Sequence, residues 1–446
     1  MSKLIPLLEV DATRSNPAIR LAKGMYQKWR RVIAGSLILG FILAPWLQLN
    51  GAPLLWMDLP NRELHLFGLT LWPDDLLILI WIAMAAAFAL FTVATVFGRL
   101  WCGFACPQSI WSMMFTWVEE KTQGSRNKRL KENNLPIWQR RLIPLVAKHL
   151  VWGLISFVTA FTFVAFFESG EALSTAIVTF QLDSEVTFWL GFFSVLTYIN
   201  AGWLREQVCN HMCPYARFQS VMLDEKSLKV RYDEKRGEPR KDQGDCVDCE
   251  LCVQVCPVGI DIRQGLQYAC IDCGACIDAC DDIMKKVNKP TGLITFSYEG
   301  FSKDNLKDLL VGRGKLWGYA LCTLLAAGAL LLQLSYLESL DAHLSRDRGQ
   351  LYFYNNQGQL ANGYTIKLHN KTNAVKQYQV TANTQGLSLN KELTIELNAG
   401  DDRTVAFEVE CKDLCTLAGT YTLEININSL DGLDSETLTS RYFAPR

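Results

Sequence analysis

The sequence predicts a polytopic α-helical membrane protein with two soluble pieces: a cysteine-rich module inserted before the last span, and a C-terminal β-sandwich. Three observations carry this. Five apolar stretches, nearly free of charge, are each about long enough to cross a hydrocarbon core ~30 Å thick. A doubled run of closely spaced cysteines lies between the fourth and fifth stretches. From Ser345 to Arg446 the chain breaks into short strands punctuated by Asn-Gly, Gln-Gly and Asp-Gly turns. At 446 residues, half of them hydrophobic and with mean hydropathy +0.09, the chain averages as a mixture of membrane and soluble segments.

The spans run Val32–Asn50, Leu76–Gly98, Leu150–Phe167, Val186–Leu204 and Leu316–Leu337. The third is expected to begin earlier, near Leu142, with Lys148 snorkelling back towards the headgroups. Trp46, Trp56, Trp72, Trp101, Trp203 and Trp317 fall near span ends, where an aromatic belt would lie. Lys and Arg set the direction. Lys23, Lys28, Arg30 and Arg31 precede the first span, and Arg99, Lys121, Arg126, Lys128, Arg129, Lys131, Arg140 and Arg141 separate the second and third. By contrast, 168–185 has acids and no Lys or Arg, and 58–75 has only Arg62. The positive-inside rule then gives a cytoplasmic N-terminus and an extracytoplasmic C-terminus.

The resulting organisation is a basic cytoplasmic tail (1–31), a four-span membrane domain (32–224), a cytoplasmic cysteine-rich domain (225–315), a fifth span (316–337) and a periplasmic sandwich (345–446). A formal net charge of −1 lacks the basic excess of a nucleic-acid binder, so no nucleic-acid partner is expected. The first thirty residues have no apolar h-region, so no cleavable signal peptide is expected.

The inserted domain writes Cys-x2-Cys-x2-Cys-x3-Cys twice: Cys246, Cys249, Cys252 and Cys256, then Cys270, Cys273, Cys276 and Cys280. This is the ligand spacing of a two-cluster ferredoxin. One tight loop supplies three thiolates to an iron–sulfur cube, and the fourth comes from the other run. Cys246, Cys249, Cys252 and Cys280 therefore form one 4Fe-4S set, and Cys256, Cys270, Cys273 and Cys276 the other. Pro257 follows the first run as the pattern expects, while Asp281 stands where a second proline would. Zinc ribbons pair two Cys-x2-Cys units and do not place three cysteines in one loop. The residues describe an electron-transfer protein.

Two further pairs lie at the cytoplasmic ends of spans two and four: Cys102 and Cys106 before Pro107, Cys209 and Cys213 before Pro214. Both read Cys-x3-Cys-Pro, with Arg99 or Arg205 just upstream, which suggests an internal repeat that brings the four thiols together. Proline suits the first turn of a helix, so Cys106 and Cys213 are expected at N-caps. There the helix dipole and nearby arginine would lower a thiol pKa. Thiolates are soft ligands for Cu(I) or zinc, and His211 and Met212 add donors inside the second pair. A structural zinc site of four cysteines is the competing reading.

The C-terminal strands suggest an immunoglobulin-like sandwich with no catalytic constellation, a binding or docking module. Cys411 and Cys415 within it are as compatible with a local disulfide as with a metal pair, and Cys322 reads as a small buried apolar residue. His149 is either a quinone or metal contact or a packed polar group, and His65, His343 and His369 read as surface residues.

This combination resembles the cytochrome c oxidase accessory protein CcoG family, also called FixG or RdxA. Gly103-Phe-Ala-Cys106-Pro107-Gln, Asp245-Cys246-Val-Asp-Cys249, Cys256-Pro257-Val-Gly259-Ile-Asp261-Ile-Arg263 and Gly265-Leu-Gln-Tyr-Ala-Cys270 look typical of it, and the resemblance covers nearly the whole chain. It implies a bacterial inner-membrane cupric reductase that makes Cu(I) for assembly of cbb3-type cytochrome c oxidase. By that resemblance Cys102, Cys106, Cys209 and Cys213, with His211 beside them, form the copper site. The implied partners are the lipid bilayer and copper-handling or oxidase-assembly proteins. The residues name no electron donor, and a homodimer is compatible with them. Two rivals are a quinol-linked electron-transfer subunit and a non-enzymatic copper-carrying scaffold.

The charge asymmetry predicts an active phosphatase reporter fused after Arg446 and an inactive one fused near Glu238. The opposite pattern would overturn the orientation.

Overall fold

Helix α1 (Met25–Leu43) opens the membrane part, and α2 (Leu76–Phe97) shows it most plainly. The 22 residues of α2 contain no charge, glycine or proline. It stops at Gly98, whose φ of +60° favours glycine, and a Cβ there would lie 2.5 Å from the Leu228 carbonyl oxygen. The computed structural model describes residues 18–445 apart from 50–51, 60–62, 68, 73–74, 137–138, 242, 299–311, 337–338, 348, 356–357, 373, 399, 412–418 and 433. The chain forms two units, 1–330 and 331–446.

In the first unit, α2 is followed by α3 (Leu100–Phe104), α4 (Pro107–Gln123), α5 (Leu142–Val164), α6 (Ser184–Ile199) and α7 (Pro214–Met222). A π-helical turn, Asn200–Leu204, extends α6. Strands β1 (Lys229–Tyr232) and β2 (Ile294–Ser297) pair antiparallel and bracket the cysteine-rich loops and α8 (Ala275–Lys286). Helix α9 (Gly314–Ser335) leads out of the unit.

Among the described residues, three helices are long and apolar enough to cross a membrane: Leu77–Phe97, Leu142–Val164 and Gly314–Ser335. They correspond to the second, third and fifth expected spans, the third starting at Leu142. The other two differ from expectation. Helix α1 begins at Met25 rather than Val32 and ends at Leu43, where Pro45 opens a 3-10 turn. Helix α6 has 16 residues, ~24 Å at 1.5 Å each, and needs its π turn for the rest. The basic tail also behaves differently from a solvated segment. Residues 1–17 lie outside the described residues, but Arg20 N–H donates to the Gln254 carbonyl (3.0 Å) and Arg129 donates to that of Ile19 (2.5 Å). Arg30, 7% exposed, donates through Nε to the Gly103 carbonyl (2.8 Å). These arginines act as internal donors, which draws helix and tail onto the module.

Lys148 does not reach outwards. Its Nζ lies 3.9 Å from Glu119 Oε1 and 4.6 Å over the Trp152 ring. Glu119 also takes Arg205 (2.7 Å) and Arg129 (3.0 Å), so one acid gathers three cations from separate elements. His149 is a packed polar contact, its Nδ1 2.6 Å from the Tyr198 hydroxyl.

The second unit is a sandwich of two antiparallel sheets. Its strands are β3 (Leu340–Arg346), β4 (Phe353–Tyr354), β5 (Leu360–Asn370), β6 (Lys376–Ala382), β7 (Leu387–Leu389), β8 (Leu393–Leu397), β9 (Asp402–Cys411), β10 (Gly419–Ser429) and β11 (Ser435–Ala444). One sheet runs β7-β9-β5-β3 with β4 on β5, the other β8-β6-β10-β11. Strand alternation fills the space between with Ile366, Leu368, Leu397, Leu423 and Ile425, all fully buried. The sandwich starts at Leu340 rather than Ser345, because β3 pairs with β5 along its length. Cys411 is disulfide-bonded, and Cys415 lies outside the described residues. His369 is buried rather than on the surface, at 8% exposure.

Candidate iron–sulfur and thiol centres

The two cysteine runs fold as near copies of one loop. Asp248 and Glu250 flank Cys249 with φ of 55°, and Asp272 and Gly274 flank Cys273 with φ of 51° and 70°. These left-handed positions turn the chain sharply enough to aim successive thiols inward. At Gly274 a Cβ would meet the Tyr26 side chain at 2.9 Å, so the glycine also admits α1. The loops enclose two separate small cavities. Cys246, Cys249, Cys252 and Cys280 line one; Cys256, Cys270, Cys273 and Cys276 line the other, which Cys252 also reaches.

The donor chemistry fits iron–sulfur cubes. All eight thiols are free. Burial pushes Cys252 up to about 11 and Cys256 and Cys280 up to about 12, so these sulfurs ionise only when a metal replaces the proton. The backbone of Val258, Gly259 and Ile260 offsets part of that rise at Cys256. Arg263, 8% exposed, ties the first loop down by bonding Asp261 Oδ2 (2.8 Å) and Asp248 Oδ1 (2.5 Å). The two sets would hold two 4Fe-4S clusters and supply one-electron transfer.

The Cys-x3-Cys-Pro pairs are built against the second loop. Cys106 caps α4 and Cys213 caps α7, each followed by proline at the first helical position. Arg99, 6% exposed, donates its backbone N–H to Asp272 Oδ2 (3.1 Å) and its guanidinium to the carbonyls of Tyr268 (2.6 Å) and Ala216 (2.8 Å). Val230 N–H reaches the other oxygen of Asp272 (3.1 Å). The two motifs also clasp each other. Gln108 at the start of α4 donates to the Arg205 carbonyl (2.8 Å), and Gln219 on α7 donates to that of Gly98 (2.9 Å) and accepts from the Cys102 thiol (3.4 Å). Gly103 touches the cluster loop directly: a Cβ there would lie 2.7 Å from the Ile271 carbonyl oxygen and 3.0 Å from Cys273 Cα.

Cys102 and Cys209 are not activated thiols; burial pushes each up to about 12, and Arg99 offsets this only in part. Charge on Cys106 and Cys213 raises both further, so the four sulfurs lie within electrostatic reach of one another. Even so, among the described residues no three His, Cys, Asp or Glu side chains are gathered to hold one metal ion. His211 and Met212 are exposed. Sequence reasoning missed Asp272, Gln108, Gln219 and Gln27, whose Nε2 donates to the Cys273 carbonyl (3.0 Å). Nothing in their local pattern marks them; only the Asp at the same place in both cysteine loops was visible in advance.

Fold and site together define a membrane-associated iron–sulfur electron-transfer protein of the oxidoreductase class. Comparisons with known proteins agree. Residues 204–244 and 239–299 match the 4Fe-4S dicluster domain, 77–121 a 4Fe-4S binding domain, and 330–445 the IG-like fold at the C-terminal of FixG. The chain is 30% identical to nitrogen fixation protein FixG of Rhizobium meliloti over 87% of its own length and 83% of that protein's. It is 33% identical to protein RdxA of Cereibacter sphaeroides, over 82% and 81%. Methylamine utilization ferredoxin-type protein MauN of Methylorubrum extorquens is 24% identical over 39% of this chain and 52% of that one. The chain belongs to the FixG/RdxA family.

Two outcomes follow. Anaerobically reconstituted protein should hold ~8 iron and ~8 sulfide per chain, and Cys273→Ala should damage one cluster while sparing much of the other. Stoichiometric zinc without labile sulfide would refute this. Gly103→Val should force α3 off the cluster loop at a cost of ~1–3 kcal/mol, read as a lower thermal midpoint and faster loss of cluster absorbance.

Proposed function

We propose that the chain is a multi-pass protein of the bacterial inner membrane, with five spans, N-terminus inside and C-terminus outside. In this reading it reduces Cu(II) to Cu(I) for assembly of cbb3-type cytochrome c oxidase. The observation that carries the reading is the packing of the Cys-x3-Cys-Pro group on the second cluster loop through Gly103 and Arg99. A substrate ion held by those thiols lies beside a one-electron centre.

The chain's own residues then bind and select the ion. Cys102, Cys106, Cys209 and Cys213 offer soft sulfur, which stabilises Cu(I) over Cu(II) and so favours the reduction. Cu(I) is satisfied by a pair of thiolates, so a tight group of three ligands is not required. Burial of Cys102 and Cys209 keeps those thiols protonated until a metal displaces the proton, which protects them from oxidation while empty. Exposed His211 and Met212 stand at the outer side of the second pair, suited to arrival or release of the ion. The sandwich is the docking module for copper-handling or oxidase-assembly proteins.

Cys106→Ala combined with Cys213→Ala should abolish Cu(II) reduction by chemically reduced protein while leaving cluster absorbance unchanged. Cells carrying this variant should make less active haem–copper oxidase. Wild-type copper reduction in the double variant would show that the motifs are structural.

A further inference from the structure

A cavity of about 270 Å³ opens between α1, α4 and the second cluster loop, and the mechanism above does not use it. Its lining is mostly apolar and includes Gly35 and Ile38 from α1 and Met114 and Trp117 from α4. Glu206, Gln27, Arg20, Arg30 and Arg31 add polar groups to it. Its floor is Pro257 and Ala275, the immediate neighbours of Cys256 and Cys276. Gly35 lines it from α1, and a Cβ added there meets nothing within 4 Å.

We propose that this cavity is the binding site for the headgroup of a membrane quinol, which supplies the electrons for copper reduction. The inference rests on the copper reading above and adds the missing reductant. Mostly apolar cavities of roughly 300 Å³ with a few convergent polar groups are the usual sites of small organic ligands and cofactors. A quinol releases protons as it releases electrons, so its site needs a proton acceptor away from bulk water as well as a nearby redox centre. Both needs are met here. Glu206 lines the cavity, and burial pushes its carboxyl up, towards proton affinity. Three arginines, Arg20, Arg30 and Arg31, share the lining with it. Arg30 Nε is committed to the Gly103 carbonyl (2.8 Å) and Arg31 Nε to that of Gln27 (3.0 Å), and the test below sets an anionic phospholipid against the quinone.

The stoichiometry closes. One quinol becomes one quinone, losing two electrons and two protons. Two Cu(II) ions take one electron each and become Cu(I). One proton passes to Glu206 and the other to water.

The test uses the full-length protein with its clusters in liposomes and a photo-activatable azidoquinone. Label should appear on peptides from α1 or α4 and be displaced by unlabelled quinone. Gly35→Phe should reduce labelling at least tenfold, and Ile38→Trp, one turn along the same wall, repeats the test should the first variant fail to assemble. Glu206→Gln should keep the label yet slow quinol-driven copper reduction at least tenfold. Undiminished labelling in both filled variants, or displacement by anionic phospholipid as effective as by quinone, overturns the assignment. Copper reduction by the unaltered protein with dithionite is read separately. Its absence with labelling intact sinks the copper reading and leaves the cavity's ligand standing.

Discussion

One buried carboxylate holds the redox half of this protein together. Asp272 stands between two cluster cysteines and receives N–H groups from Arg99 and from Val230, so the loop, the end of α2 and strand β1 meet at one residue. A buried carboxylate without such donors would be costly, and with them it dictates where each neighbour must lie. Arg99 extends the same knot to α7 through the Ala216 carbonyl. The consequence is a fixed relation between the iron–sulfur loops and the thiols of the membrane-edge motifs. Electron transfer depends on such fixed separation, and no flexible tether intervenes.

Basic residues in this chain do two jobs. Along the sequence they mark the side of the membrane on which a loop is expected to stay. In the fold many are internal donors: Arg30 to Gly103, Arg205 and Arg129 to Glu119, Arg313 to Asp224. Glu119 with its three cations is the clearest case, because removing that one acid leaves three poorly solvated positive charges without their shared partner. This is why Lys148 turns inward against expectation. A partner inside the protein outcompetes the headgroup region once α4 brings a carboxylate within reach.

The thiol chemistry follows the same competition between local and tertiary effects. At the level of the motif, an N-cap position and a nearby arginine argue for ionised sulfur. Cys102, inside α3 and not at an N-cap, packs with Val255, Ile271 and Cys273, and there desolvation outweighs Arg99. A thiol in that state waits for a metal instead of reacting with small oxidants. The same logic holds in the cluster loops, where burial favours filling both cavities over leaving bare thiolates.

Much was legible from the residues alone. The cysteine spacing determined two four-thiol sets, since one loop can aim only three sulfurs at a point; Pro107 and Pro214 determined two helix starts; strand alternation and turn residues determined the sandwich. Each of these is local, encoded within a few residues of where it acts. Tertiary structure decided what depends on residues far apart in sequence. The clasp of Gln108 and Gln219, the burial that silences Cys102 and Cys209, the inward turn of Lys148, and the cavity beside Glu206 all arise where separate elements meet. Desolvation and long-range hydrogen bonds have no periodicity or spacing, so the sequence carries no mark of them until the chain is folded.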